Sequence, residues 1–210
     1  MFKRSVLLVM LVCFLAITGK AQDGSVNNTS VNVSAVVPES FELTSWIRWA
    51  KPGQDPYEFG FSGDASAIDF GPLEWNGDLG IWQPTKYFTV FLLARSSGRS
   101  YQIKQTSTGL FSGTSNLNNS FTVTPDYVSD DEFSAGQPQG SIPAGDSYGT
   151  AGLAASGEKV VYDSGTGQSR IVRAYYGLST GEPGKPGEAI SGDYPAGTYS
   201  GSVSFTLTLK

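Results

Sequence analysis

The closing stretch of the chain constrains the fold most. From Ser202 to Leu209, residues Val203, Phe205, Leu207 and Leu209 alternate strictly with Ser202, Ser204, Thr206 and Thr208. Successive side chains of a β-strand point to opposite faces, so this segment has one apolar face and one hydroxyl face. A helix would scatter the same apolar residues around its circumference. The segment follows Tyr194-Pro195-Ala196-Gly197, whose residue types favour a turn. A charge at Phe205 is therefore expected to enter a core, and a charge at Thr206 to meet solvent.

The same period of two recurs along the chain. Val31, Val33, Ala35 and Val37 alternate with Asn32, Ser34 and Val36 until Pro38, and are expected to form the first strand. Phe41 and Leu43 continue a shorter pattern, and Ile68 and Phe70 precede the break at Gly71-Pro72. Lys86 to Leu93 is apolar on both faces, as a central strand is. Tyr101 and Ile103 alternate with Gln102 and Lys104. Phe121 and Val123 alternate with Thr122 and Thr124, and Pro125 is expected to stop that ladder. Val160 to Tyr162 and Arg170 to Tyr176 complete a set of about eight strands, the pattern of an all-β sandwich or barrel. No helical periodicity and no internal repeat competes with it.

Three stretches break the pattern. Residues 46–63 hold Trp46, Trp49, Tyr57, Phe59 and Phe61 and read as an ordered insertion. Residues 129–157 are rich in Gly, Ala and Ser, and residues 177–193, with Pro183-Gly184 and Pro186-Gly187, read as a long loop. Loops of that length commonly carry function or motion.

The first 21 residues follow a different grammar. Lys3 and Arg4 precede an apolar run from Val6 to Ile17, and Gly19-Lys20-Ala21 offers small residues for cleavage. That is a secretory signal peptide, and its apolar run is shorter than the ~20 residues of a spanning helix, so no membrane anchor is expected in the mature chain. Residues 22–210 then form a single β-sandwich domain. Cys13, the one cysteine, leaves with the signal, so the exported domain is expected to fold on packing alone. The signal also removes three of 14 basic residues and none of the 19 acidic ones, which makes the chain a poor nucleic-acid ligand.

Composition narrows the chemistry. The chain has no histidine, which excludes Ser-His-Asp triads, Cys-His pairs and His-ligated zinc. Enzymes built only on carboxylates remain possible, and no catalytic residue, metal ligand or cofactor is assigned. Asp126, Asp130, Asp131 and Glu132 read as a solvated loop, because the cluster lacks a calcium-loop spacing and its central glycine. Gly165-Thr166-Gly167 and Gly184-Lys185-Pro186 read as turns, not phosphate loops. Asn27, Asn28, Asn32 and Asn118 stand in glycosylation sequons. Trp46, Trp49, Trp75 and Trp82, with Tyr57 and Tyr87, are placed in or beside loops, either as end-caps of the core or as a sugar-stacking platform.

Several segments resemble the spore coat protein U and archaic chaperone–usher secreted pilin family. Pro195-Ala196-Gly197-Thr198-Tyr199-Ser200-Gly201-Ser202-Val203-Ser204-Phe205-Thr206-Leu207-Thr208-Leu209 is similar to that family's closing strand. Val33-Ser34-Ala35-Val36-Val37-Pro38 resembles its first strand, Ile68-Asp69-Phe70-Gly71 an internal step, and Tyr101-Gln102-Ile103 and Arg173-Ala174-Tyr175-Tyr176-Gly177-Leu178 two further strands. The family's usual cysteine after the first strand is replaced here by Glu39-Ser40. The resemblance implies an immunoglobulin-like fold and export to the periplasm and then to the cell surface. It also implies a periplasmic chaperone, an usher and sibling subunits as partners. Assembly would run through sheet edges, with Val31, Val33, Ala35 and Val37 on one side of a groove and Val203, Phe205, Leu207 and Leu209 on the other. The stretch ahead of Val31, Gln22 to Ser30, holds one large apolar residue, Val26. Two other classes stay open: an extracellular carbohydrate-binding or adhesive module that uses the tryptophans, and a carboxylate hydrolase, for which no residue pattern speaks.

Overall fold

The computed structural model describes residues 34–36, 41–52, 61–127, 140–141, 153–167, 169–181 and 187–210. The chain divides into a unit Met1–Val37 and a unit Pro38–Lys210, and every described strand belongs to the second. In order these are β1 (Glu42–Ala50), β2 (Gly63–Ala65), β3 (Glu74–Asn76), β4 (Ile81–Gln83), β5 (Tyr87–Arg95), β6 (Tyr101–Ser107), β7 (Phe111–Ser112), β8 (Ser115–Asn116), β9 (Phe121–Tyr127), β10 (Leu153–Ala154), β11 (Gly157–Asp163), β12 (Arg170–Leu178), β13 (Ile190–Ser191) and β14 (Val203–Leu209). The described residues contain no helix, and every strand pairing is antiparallel.

The largest sheet runs β10-β9-β12-β5-β1-β2, with β5 near its middle. Residues 88–92 of β5 are buried on both faces, which is why its sequence shows no alternation. A second sheet runs β11-β6-β14, a third β13-β4-β3, and β7-β8 is a short hairpin. One core joins the first two sheets. Val90, Leu92, Val123, Val172 and Ala174 of the larger sheet cluster with Tyr101, Ile103, Val161 and Tyr162 of β6 and β11. Each fully buried side chain of this size contributes about 1.5–3 kcal/mol by leaving water. A polar chain also crosses this core: Tyr176 Oη of β12 donates to Gln105 Oε1 of β6, and Gln105 Nε2 donates to Ala155 O at 2.7 Å. Both side chains are fully buried, so each polar atom in the chain needs its partner. Burial pushes the Tyr176 hydroxyl well above its ordinary pKa, so it stays a neutral donor.

Four sequence expectations are corrected. Residues 46–50 are not an insertion but the second half of β1, which pairs along its full length with β5 from Glu42↔Arg95 to Ala50↔Tyr87. The aromatic residues there mask the alternation, because both faces of β1 are covered. Pro125 does not stop β9, which continues to Tyr127. Ala155 N–H donates to Phe121 O and Ser179 N–H to Ser120 O, so the even residues of β9 bond to β12 and the odd residues turn away from it. Pro125, an odd residue, therefore costs the β9–β12 ladder no donor. Ile68 and Phe70 lie outside any strand, although Phe70 belongs to the core cluster and Ile68 packs against it. Of the expected first strand Val31 to Val37, only residues 34–36 are described: they form no strand, and Val36 is 92% exposed. The remainder, with the signal segment, Tyr57 and Phe59, lies outside the described residues. So do most of 129–157 and the acidic positions 130–132.

Candidate functional site

β14 sits at the edge of its sheet, paired with β6 from Val203↔Ser107 to Leu209↔Tyr101 without a bulge. Its exposure alternates at every residue, with Val203, Phe205, Leu207 and Leu209 half-buried against the core and Ser204, Thr206 and Thr208 exposed. This matches the faces expected from the sequence. Thr108 N–H donates to Ser202 O at 3.1 Å and Lys210 N–H to Ser100 O at 2.9 Å, so the even residues bond to β6. The odd residues then turn their N–H and C=O groups outward, where no described strand pairs with them. The strand carries no charge, no proline and no irregularity of register, the devices that usually blunt an edge.

The strand is firmly placed at both ends. Before it, Ser202 N–H donates to Thr108 Oγ1 at 2.9 Å, and a Cβ on Gly201 would stand 1.7 Å from Gly109 O, so only glycine fits that approach. After it, Lys210 Nζ pairs with the Asp163 carboxylate of β11. Burial alone would raise the Asp163 pKa, but hydrogen bonds from Lys210, Gln102 and the Gly165 N–H outweigh it and hold the carboxyl below its usual value.

The four tryptophans do not form one platform; all lie within strands. Trp46 and Trp49 are three residues apart on β1 and so face opposite ways. Trp49 packs against the core, with Lys86 Nζ 5.4 Å from its ring and Gly63 leaving room for its indole. Trp46 stacks on Phe91 at 5.1 Å with rings 5° from parallel, and Phe61 meets Phe91 edge-on at 5.5 Å. The Arg48 guanidinium lies 5.4 Å from the Phe61 ring and pairs with Asp64 at 3.2 Å.

Trp75 and Trp82 stand directly opposite each other on β3 and β4, with ring centres 5.2 Å apart in an edge-to-face pair. Trp82 packs against the core, whereas Trp75 is 48% exposed. Beside this hairpin lies a cleft of about 700 Å³ lined by residues 51–52, 74–78 and 83–85. Sequence reading missed it, because Lys51 and Pro52 meet the hairpin only through the β1–β5 pairing.

Of the remaining sequence candidates, Asn118 is engaged in its loop, where its Oδ1 accepts from Leu110 N–H at 3.0 Å. Asp126 lies in β9, in register with Arg173 of β12. Among the described residues no three His, Cys, Asp or Glu side chains gather as a metal site. No known family model matches the chain, and no curated protein matches it.

Proposed function

We propose that this chain is an exported structural subunit of a surface fibre or coat, an immunoglobulin-like β-sandwich that assembles by strand addition at a sheet edge. The observation that carries this reading is β14, a seven-residue edge with outward N–H and C=O groups and a half-buried apolar face. A strand laid along it would gain backbone hydrogen bonds and cover Val203, Phe205, Leu207 and Leu209 together. The core shared by the six-stranded and three-stranded sheets supports the sandwich.

The added strand is Val31 to Val37 of a second copy. The first described strand begins at Glu42, so this segment precedes the described sheets in the sequence. Its Val31, Val33, Ala35 and Val37 match in number and spacing the four apolar residues of β14. The partners in this reading are a periplasmic chaperone, an usher and sibling subunits, reached after export through the segment 1–21.

Light scattering on the exported chain tests it. The expected result is a ladder of oligomers that a synthetic peptide of residues 31–37 caps, and a monomer that binds the peptide once residues 31–37 are deleted. A chain that stays monomeric and takes up no peptide overturns the reading.

A further inference from the structure

We propose that the cleft beside the β3–β4 hairpin binds a neutral saccharide. This rests on side chains far from the β14 edge in sequence and stands whether or not the chain assembles there. The cleft combines an apolar wall with a mixed polar rim. Trp75, Pro52 and Pro84 supply the wall. Gln83 and Thr85 supply donors, and the carboxylates of Glu74 and Asp78 supply acceptors. Two carboxylates against the one ammonium of Lys51 disfavour an anionic ligand and suit the hydroxyl donors of an uncharged one. A sugar hydroxyl gives and accepts a hydrogen bond at once, and its C–H faces suit an aromatic ring, so a saccharide uses every kind of group in this lining.

The groups are placed before any ligand arrives. Asn76 Oδ1 accepts from the N–H groups of Asp78 and Leu79 at 3.0 and 3.1 Å, which sets the turn. Asn76 Nδ2 donates to Gln83 Oε1 at 3.0 Å, which locks the two strands and leaves the Gln83 amide N–H groups to give. Trp82 braces Trp75 from across the hairpin. Two glycines seat the indole: a Cβ on Gly192 would stand 3.2 Å from its Cη2, and one on Gly77, itself in the cleft wall, 3.7 Å from its Nε1. A rigid, exposed indole loses little entropy on binding. The carboxylates of Glu74 and Asp78 make no hydrogen bond or ion pair with a described residue, so their acceptor capacity is open.

The test titrates the exported protein with cellohexaose, laminarihexaose and mannohexaose, read by tryptophan fluorescence and calorimetry. At least one hexasaccharide is expected to bind. Trp75→Ala should weaken it about tenfold or more, and Glu74→Gln, at an exposed position, should weaken it by a smaller factor. Trp46→Ala, on β1 away from the cleft, should bind as the parent does. Absence of binding by all three sugars, or equal binding by Trp75→Ala and the parent, overturns the proposal.

Discussion

β11 and β14 flank the same strand, β6, and are treated in opposite ways. β11 opens on Gly157 at φ +82°, carries Glu158 and Lys159, and slips register between Val160 and Tyr162. That bulge turns both Val161 and Tyr162 into the core. Glu158 pairs with Lys104 at 2.9 Å, and Ser141 bridges the end of the strand through two backbone bonds with Asp163. β14 has none of these features: its register is unbroken, its residues are uncharged, and its apolar face is half covered. Among the described residues one edge is closed by charge, bulge and bridge, while the other is straight and has no strand beyond it. An edge of the second kind invites another strand, which is the ground for the assembly proposed above.

The largest expected effect tests the faces of β14. Phe205→Asp should cost about 3 kcal/mol or more, since an ionised carboxylate would sit against the core without a partner. Thr206→Asp should stay within about 0.5 kcal/mol. Equal urea midpoints for the two variants would break the assignment.

Next comes the strand that both edges share. Gln105 of β6 is in register with Lys159 on one side and Phe205 on the other. Tyr176→Phe removes the donor to Gln105 Oε1 and leaves a buried acceptor unmatched, at a cost of about 1–3 kcal/mol. Denaturant titration reads it, and a neutral result would mean that water reaches this core.

A third change sharpens the contrast directly. The double substitution of Thr206→Lys and Thr208→Lys gives β14 the charges that β11 carries. Stability should move by less than about 1 kcal/mol while oligomers disappear in light scattering. Glu158→Thr with Lys159→Thr should not create a second joint, because the bulge remains.

The smallest effect is the pH dependence of the tie between the two edges. Burial acts to raise the Asp163 pKa, but Lys210, Gln102 and the Gly165 N–H hold the carboxyl below its ordinary value of 3.8. Its contribution is therefore present in full above pH 3.8 and lost as pH falls through the lowered folded-state value. Asp163→Asn should flatten the melting-temperature profile in that acid range only. An unchanged profile would show that Lys210 does not hold β14 to β11.

Much of the fold was legible in period two, because the side-chain alternation of a half-buried strand is local. Val203 to Leu209 kept the faces read from its sequence, and the buried centre of β5, the start of β6 and the run of β12 lay where their apolar residues stood. Residues 46–50 misled because their strand is covered on both sides, so Trp46 and Trp49 could each be apolar while facing opposite ways. Arg170 opens β12 where the sequence placed the strand's start, and its full burial is not legible from its charge. The candidate site divided in the same manner. The apolar row of β14 was readable from alternation and its place at a sheet edge was implied by the resemblance, whereas the identity of its partner strand, β6, was not readable. Trp75 was readable as an aromatic near loops, but its brace on Trp82 and its seat on Gly192 were not.

By itself, then, the sequence determined that this is an all-β chain and which face of an alternating strand such as β14 is apolar. Those properties follow from the geometry of single strands, which neighbouring residues encode. The tertiary structure decided which strands lie at edges, where β11 bulges, how Pro125 escapes its missing N–H, and which tryptophan meets solvent. Each of these depends on a partner strand tens of residues away, and no local pattern records what stands across a hydrogen-bonded ladder.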